Sequence, residues 1–239
     1  MKTLFYSLIL TMFFSSCNTE SKHEVSITVL ADRTDSKIPN PELSTIRDMI
    51  ELEKYPNSKV NFTYLTVGNT DFNQAYSSHL GSSSILDNSL QRKAEVSKFF
   101  SFIDTLLHRE NSQKYDFKRS SILIPLVEQL GELAQEKSTE KILLLYSDIS
   151  EASDILNVYT KRDKKLLFTQ TKELTDILKN EIEIPPLAGV KLYIIYYPRT
   201  VEENRMFGKL CHLYEELFMN SGLEVHIGLD KNLTTTIND

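Results

Sequence analysis

The stretch Val29-Leu-Ala-Asp-Arg-Thr-Asp-Ser36 joins an apolar run to a carboxylate and then to two hydroxyls at alternate positions, Thr34 and Ser36. In an extended loop, alternate side chains leave on the same side, so Asp32, Thr34 and Ser36 can converge. Two other stretches have the same chemistry. Ser147-Asp148 closes the apolar run 141–146, and Ser120-Ser121 opens an amphipathic segment. If the three meet at one rim, Asp32 and Asp148 supply carboxylates, and Thr34, Ser36 and Ser120 supply hydroxyls, with Ser121 equally available. Hard oxygen donors of this kind suit Mg²⁺, with Ca²⁺ or Mn²⁺ as alternatives. The competing reading is that Asp and Ser after a strand are ordinary turn formers and helix caps. The chain has no Cys or His cluster of the kind that holds structural zinc.

The elements that would position these residues follow from apolar periodicity. Segments 24–31, 58–68, 141–150, 189–198 and 223–229 read as strands. The unbroken apolar or aromatic runs at 142–146 and 192–197 predict strands buried on both faces, as in a parallel sheet. Segments 41–55, 92–110, 120–137, 171–181 and 201–222 read as helices. Pro41 sits in the first turn, Ser120 is placed to cap free N–H groups, and Gly222 is a stop. Residues 69–92 are polar and Ser-rich, with a hairpin or edge strand expected around 72–80. Lys161-Arg-Asp-Lys-Lys165 reads as a solvated loop. Strands alternating with helices predict an α/β fold: a doubly wound, mostly parallel sheet flanked by helices on both faces. No linker divides residues 24–239, which therefore read as one domain. In such sheets ligands sit beyond the carboxyl ends of the strands, where Asp32 and Asp148 fall.

Together these segments resemble a von Willebrand factor A domain with its metal-ion-dependent adhesion site. "DRTDS" resembles the Asp-x-Ser/Thr-x-Ser opening of that site, "RSSILIPL" the segment bearing its Thr, and "LLLYSD" the strand that delivers its later Asp. "PPLAGVKLYIIYYPR" resembles the strand after that. The resemblance implies a Rossmann-like three-layer sandwich. It also implies a metal set of Asp32, Thr34, Ser36, Ser120 and Asp148, and an open coordination position that takes an acidic side chain of a partner protein. Two departures stand out: Ser occupies position 120 in place of Thr, and no Gly precedes it.

The first residues, "MKTLFYSLILTMFFSSC", carry one early Lys, an apolar core and small residues before Cys17. They read as a secretory signal, too short to span a bilayer comfortably. Cys17 resembles the lipobox cysteine of bacterial lipoproteins. That implies removal of residues 1–16, acyl chains on Cys17, a lipidated tether over 17–23, and a place outside the cytoplasm on a bacterial membrane. With Cys17 acylated, Cys211 is the only free thiol, and its helical spacing with Phe207, Leu210 and Tyr214 marks it as a core residue. Net charge is −6 and becomes −7 when Lys2 is removed (27 basic residues become 26, against 33 acidic). That balance disfavours nucleic acid as a partner, and no phosphate-binding glycine loop points to a nucleotide. Two alternatives remain: an Mg²⁺-dependent phosphoesterase built on Asp32 and Asp148, and a metal-free scaffold that uses the fold only as an interaction surface. His79, His108, His212 and His226 show no catalytic pattern, and Tyr193, Tyr196 and Tyr197 read as sheet packing.

Overall fold

Alternation within single strands sorts the apolar side chains onto two faces and so dictates a layered structure. The computed structural model describes residues 23–67, 74–83, 88–115 and 119–228. The signal segment, Cys17 and tether residues 18–22 lie outside the described residues. In chain order the elements are β1 (Glu24–Asp32), α1 (Leu43–Ile50), β2 (Lys59–Val67), β3 (Ala75–Leu80), α2 (Ser89–Ser112), α3 (Leu123–Gln135), β4 (Glu140–Tyr146), α4 (Lys161–Thr169), α5 (Thr171–Glu181), β5 (Val190–Ile195), α6 (Val201–Phe218) and β6 (Glu224–Ile227). The sheet has six strands in the order β3-β2-β1-β4-β5-β6. Every pairing is parallel except β2 with the edge strand β3.

In β4, Leu143 and Leu145 point to one face, and Ile142, Leu144 and Tyr146 to the other. The first face packs against α3, α4, α5 and α6 through Leu126, Leu130, Leu167, Leu178, Leu210 and Tyr214. The second packs against α1 and α2 through Ile46, Ile50, Phe99, Ile103 and Leu107. The result is a three-layer α/β fold, doubly wound around a mostly parallel sheet, as the alternation of elements predicts. Asp32 has the parity of Leu30 along β1, and Leu30 belongs to the α3–α6 face. The carboxylate is therefore delivered to the side where α3 begins.

Several element boundaries differ from expectation. The helix expected over 41–55 stops at Ile50, because Glu51 turns left-handed (φ 54°) and its N–H closes onto the Arg47 carbonyl. Residues 161–165 are helical, not a loop. The Thr160 hydroxyl accepts the Asp163 N–H and starts α4, while its charged residues face water and Leu167 anchors it to the core. The helix over 120–137 begins at Leu123. Ser120 does not cap it: the hydroxyls of Ser120 and Ser121 are buried and, among the described residues, have no hydrogen-bond partner. Among the described residues, no helix is long and apolar enough to cross a membrane.

Candidate functional site

The chain leaves β1 for β2 on one side, and β4 lies on the other side of β1. The crevice beyond the carboxyl ends of β1 and β4 is therefore the point where strand order reverses, the usual ligand position in sheets of this kind. Asp32 ends β1 there, 1% exposed. Its Oδ1 accepts the Thr34 N–H at 2.9 Å and the Thr34 hydroxyl at 2.6 Å. Its Oδ2 accepts the Ser147 hydroxyl at 2.8 Å. Thus β1 and β4 are tied at their tips by a carboxylate–hydroxyl bond between residues 115 positions apart. The Thr34 hydroxyl keeps its acceptor lone pairs available to a cation, and the Ser147 hydroxyl, which also accepts the Ile149 N–H, keeps one.

The loop after β4 is shaped by two successive side-chain turns. Ser147 Oγ accepts the Ile149 N–H, and Asp148 Oδ1 accepts the Ser150 N–H, both within 2.9 Å. Between them Ile149, wholly buried, is held at φ 55°. A β-branched residue in that region costs about 1–3 kcal/mol and persists only where its surroundings enforce it. Asp148 beside Ile149 is half-buried and close enough to Asp32 for its charge to act there.

Burial pushes the Asp32 carboxyl above its ordinary range, against the lowering effect of Thr34 and Ser147, and the charge of Asp148 adds to the rise. Asp148 is also pushed up, first by burial, then by the neighbouring Asp35 and Glu203. Asp35 itself is exposed, and Glu203, at the start of α6, pairs with Lys37 at 2.8 Å.

The third segment enters from the side. Glu151, wholly buried, sends Oε2 to the N–H groups of Ile122 (2.9 Å) and Leu123 (3.0 Å) at the start of α3. The Ala152 N–H donates to the Ser120 carbonyl at 2.7 Å. The loop after β4 thereby grips the segment 120–123 and holds Ser120 beside the crevice. Burial raises the Glu151 carboxyl, and the Asp32 charge contributes, which places the two acids within each other's field.

Of the five residues expected to gather, Asp32 and Thr34 are in direct contact, Asp148 lies within electrostatic reach of Asp32, and Ser120 is held alongside through Glu151 and Ala152. Ser36 stands apart, exposed in a turn closed by the Ile38 N–H to the Asp35 carbonyl. Two residues were not foreseen, Ser147 as a partner of Asp32 and Glu151. The Ser147-Asp148 pair was visible in the sequence. Nothing in local spacing links Glu151 to a helix start 28 residues earlier. Among the described residues no three His, Cys, Asp or Glu side chains close on one point, so hydroxyls must supply part of any cation shell here. Comparison of the chain with models of known protein families finds no match, and no curated protein matches it in sequence.

Proposed function

We propose that this chain is a lipid-anchored exported protein whose von Willebrand A-like domain holds a divalent cation, Mg²⁺ foremost, at the β1–β4 crevice and uses it to bind an acidic side chain of a partner protein. One observation carries the reading. Asp148 and Glu151 each lie within the electrostatic field of Asp32, the Ser120 hydroxyl in the segment that Glu151 caps is buried without a partner among the described residues, and among those residues no Lys, Arg or His pairs with any of the three acids. Buried charges without a counter-charge are expensive, and a buried hydroxyl without a partner is rare. A cation of hard-oxygen preference would relieve both.

The roles divide by geometry. Asp32 orients Thr34 and Ser147, Asp148 faces the open side, and Ser120 offers an oxygen from the α3 side. A bound divalent ion with few anionic ligands keeps residual positive charge, which attracts a carboxylate. Both Asp32 oxygens accept hydrogen bonds and the side chain is closed from solvent. That arrangement favours a holding role over the nucleophilic role a phosphoesterase would need.

Titration calorimetry of Mg²⁺ and Mn²⁺ into the protein lacking residues 1–17 tests the reading. Binding is expected, with loss in Asp148→Ala and in Asp32→Ala. Absence of heat and of thermal stabilisation at millimolar metal sinks the proposal, and Asp32-dependent turnover of a generic phosphate ester replaces it with the hydrolytic alternative.

A further inference from the structure

A helix that begins just after Ser-Ser would ordinarily be capped by one of those hydroxyls, because Ser is among the preferred N-cap residues. Here the N-cap position falls to Ile122, which has no side-chain acceptor, and the capping is done from 28 to 29 residues away by Glu151. One Glu151 oxygen takes both free N–H groups of the first turn. The consequence is that, among the described residues, the hydroxyls of the buried Ser120 and Ser121 have no hydrogen-bond partner, while the Ser153 side chain helps to stabilise the Glu151 carboxylate. A further polar atom comes from α6. The Tyr214 hydroxyl is buried and unpartnered, and Glu151 is foremost among the charges that act on it.

A cap alone does not require a carboxylate. A glutamine carbonyl accepts the same two N–H groups with no charge to bury. The positive end of the α3 dipole offsets part of the Glu151 charge, and no described basic side chain offsets the rest. The carboxylate does not join Asp32 and Asp148 in a set of three that could close on one ion. It therefore acts from behind Ser120 and not as a direct ligand.

We infer that Glu151 is a positioning residue of the cation site. It frees the Ser120 hydroxyl by taking over the α3 cap, and it adds a fixed negative charge behind that hydroxyl which strengthens cation binding at the cost of the metal-free fold. The inference rests on the cation reading given above. Residues behind the direct ligands of metal sites commonly change affinity 10- to 100-fold, roughly the size expected here.

The test is Glu151→Gln in the protein lacking residues 1–17, with Mg²⁺ and Mn²⁺ affinity measured by calorimetry and the melting temperature measured in chelator. The expected result has opposite signs. Metal affinity falls about 10-fold or more, while the metal-free melting temperature stays level or rises, since the amide keeps the cap and removes a buried charge. A purely structural cap would lower melting temperature and affinity together in Glu151→Ala and leave both unchanged in Glu151→Gln. That pattern overturns the inference while leaving the cation site standing. Wild-type protein that binds neither metal removes both. If Glu151→Ala fails to fold, Glu151→Gln alone still decides, and Glu151→Asp, too short to keep both N–H contacts and the charge in place, is expected to recover neither property.

Discussion

Asp32 and Cys211 are both buried at the α3–α6 side of the sheet, one held by hydrogen bonds and the other by apolar packing. Desolvation raises the Asp32 carboxyl in spite of three hydrogen bonds, so its burial is only partly compensated within the protein. Cys211 has no such company. It packs among apolar side chains, and burial pushes its thiol from 9.0 up to about 12. A raised acid contributes stability that is full below its unfolded value and is lost as pH climbs through its folded value. Cys211 therefore favours the fold below pH 9 and erodes it between there and pH 12. In the protein lacking residues 1–17, iodoacetamide at about pH 8.5 should leave the native thiol essentially unmodified and label it fully after unfolding, because the thiolate is the nucleophile. Rapid labelling of the native protein would show that Cys211 is reachable and ionised.

At the scale of elements, long-range side chains decide where helices start and how they are fastened. Glu151 does this for α3. Arg92 does it for α2: buried near the helix start, its guanidinium donates to the carbonyls of Pro56 (3.1 Å), Gly81 (2.7 Å) and Ser58 (2.7 Å). These carbonyls lie before β2 and after β3, which are neighbours in the antiparallel pair, so one planar cation pins α2 to that end of the β2–β3 pair. Arg92→Ala strands three carbonyls and is expected to lower unfolding stability by about 3 kcal/mol, measured by urea denaturation. Arg92→Lys should recover little, since an ammonium lacks the fork that reaches several acceptors at once. A loss below about 0.5 kcal/mol, the range of ordinary surface substitutions, would mean that water replaces the guanidinium. The α4 helix shows the converse. Its charged sequence gives no amphipathic signal beyond Leu167 and Phe168, and Arg205 of α6 lies over the Phe168 ring at 5.0 Å. Tertiary contact completes what the local pattern leaves weak.

For the whole molecule, the two ends of β1 set the orientation. His23 enters the sheet at the amino end, stacked on Tyr55 at 4.0 Å and bonded to Ser58, while Asp32 lies at the other end of a nine-residue strand. Nine residues span roughly 26–30 Å. Acyl chains on Cys17 would lie six residues before His23, within about 20 Å of it. An anchor at Cys17, as proposed, would put the amino end of β1 nearer the bilayer than the crevice. Single cysteines at Ser36, in the exposed turn that follows β1, and at Glu136, in the same surface hollow as Glu24 and Lys59 at the start of β1 and β2, report on this in a Cys211→Ser background. With spin-labelled lipids in the vesicle, a fluorophore at 136 should be quenched clearly more than one at 36. Equal quenching, or the reverse order, would reject the orientation.

The sequence by itself determined the class of fold. Apolar runs such as Ile142–Tyr146 and Leu192–Ile195 bury both faces, and periodic helices lie between them, so a parallel layered sheet is the arrangement that covers all that apolar surface. It also determined the oxygen-donor chemistry and where along the chain those donors sit. Only the tertiary structure decided which donors meet. Ser147 reaches Asp32 because β1 and β4 became neighbours. Glu151 displaces Ser120 from its expected capping role because the loop after β4 folds over the start of α3. Ser36 turns to solvent because the Asp35–Ile38 turn carries it away. The physical reason is common to Ser147 and Glu151: hydrogen-bond partners across a sheet edge are chosen by strand order and loop path, and residues 28 to 115 positions apart leave no periodic trace in the sequence of the contacts they will make.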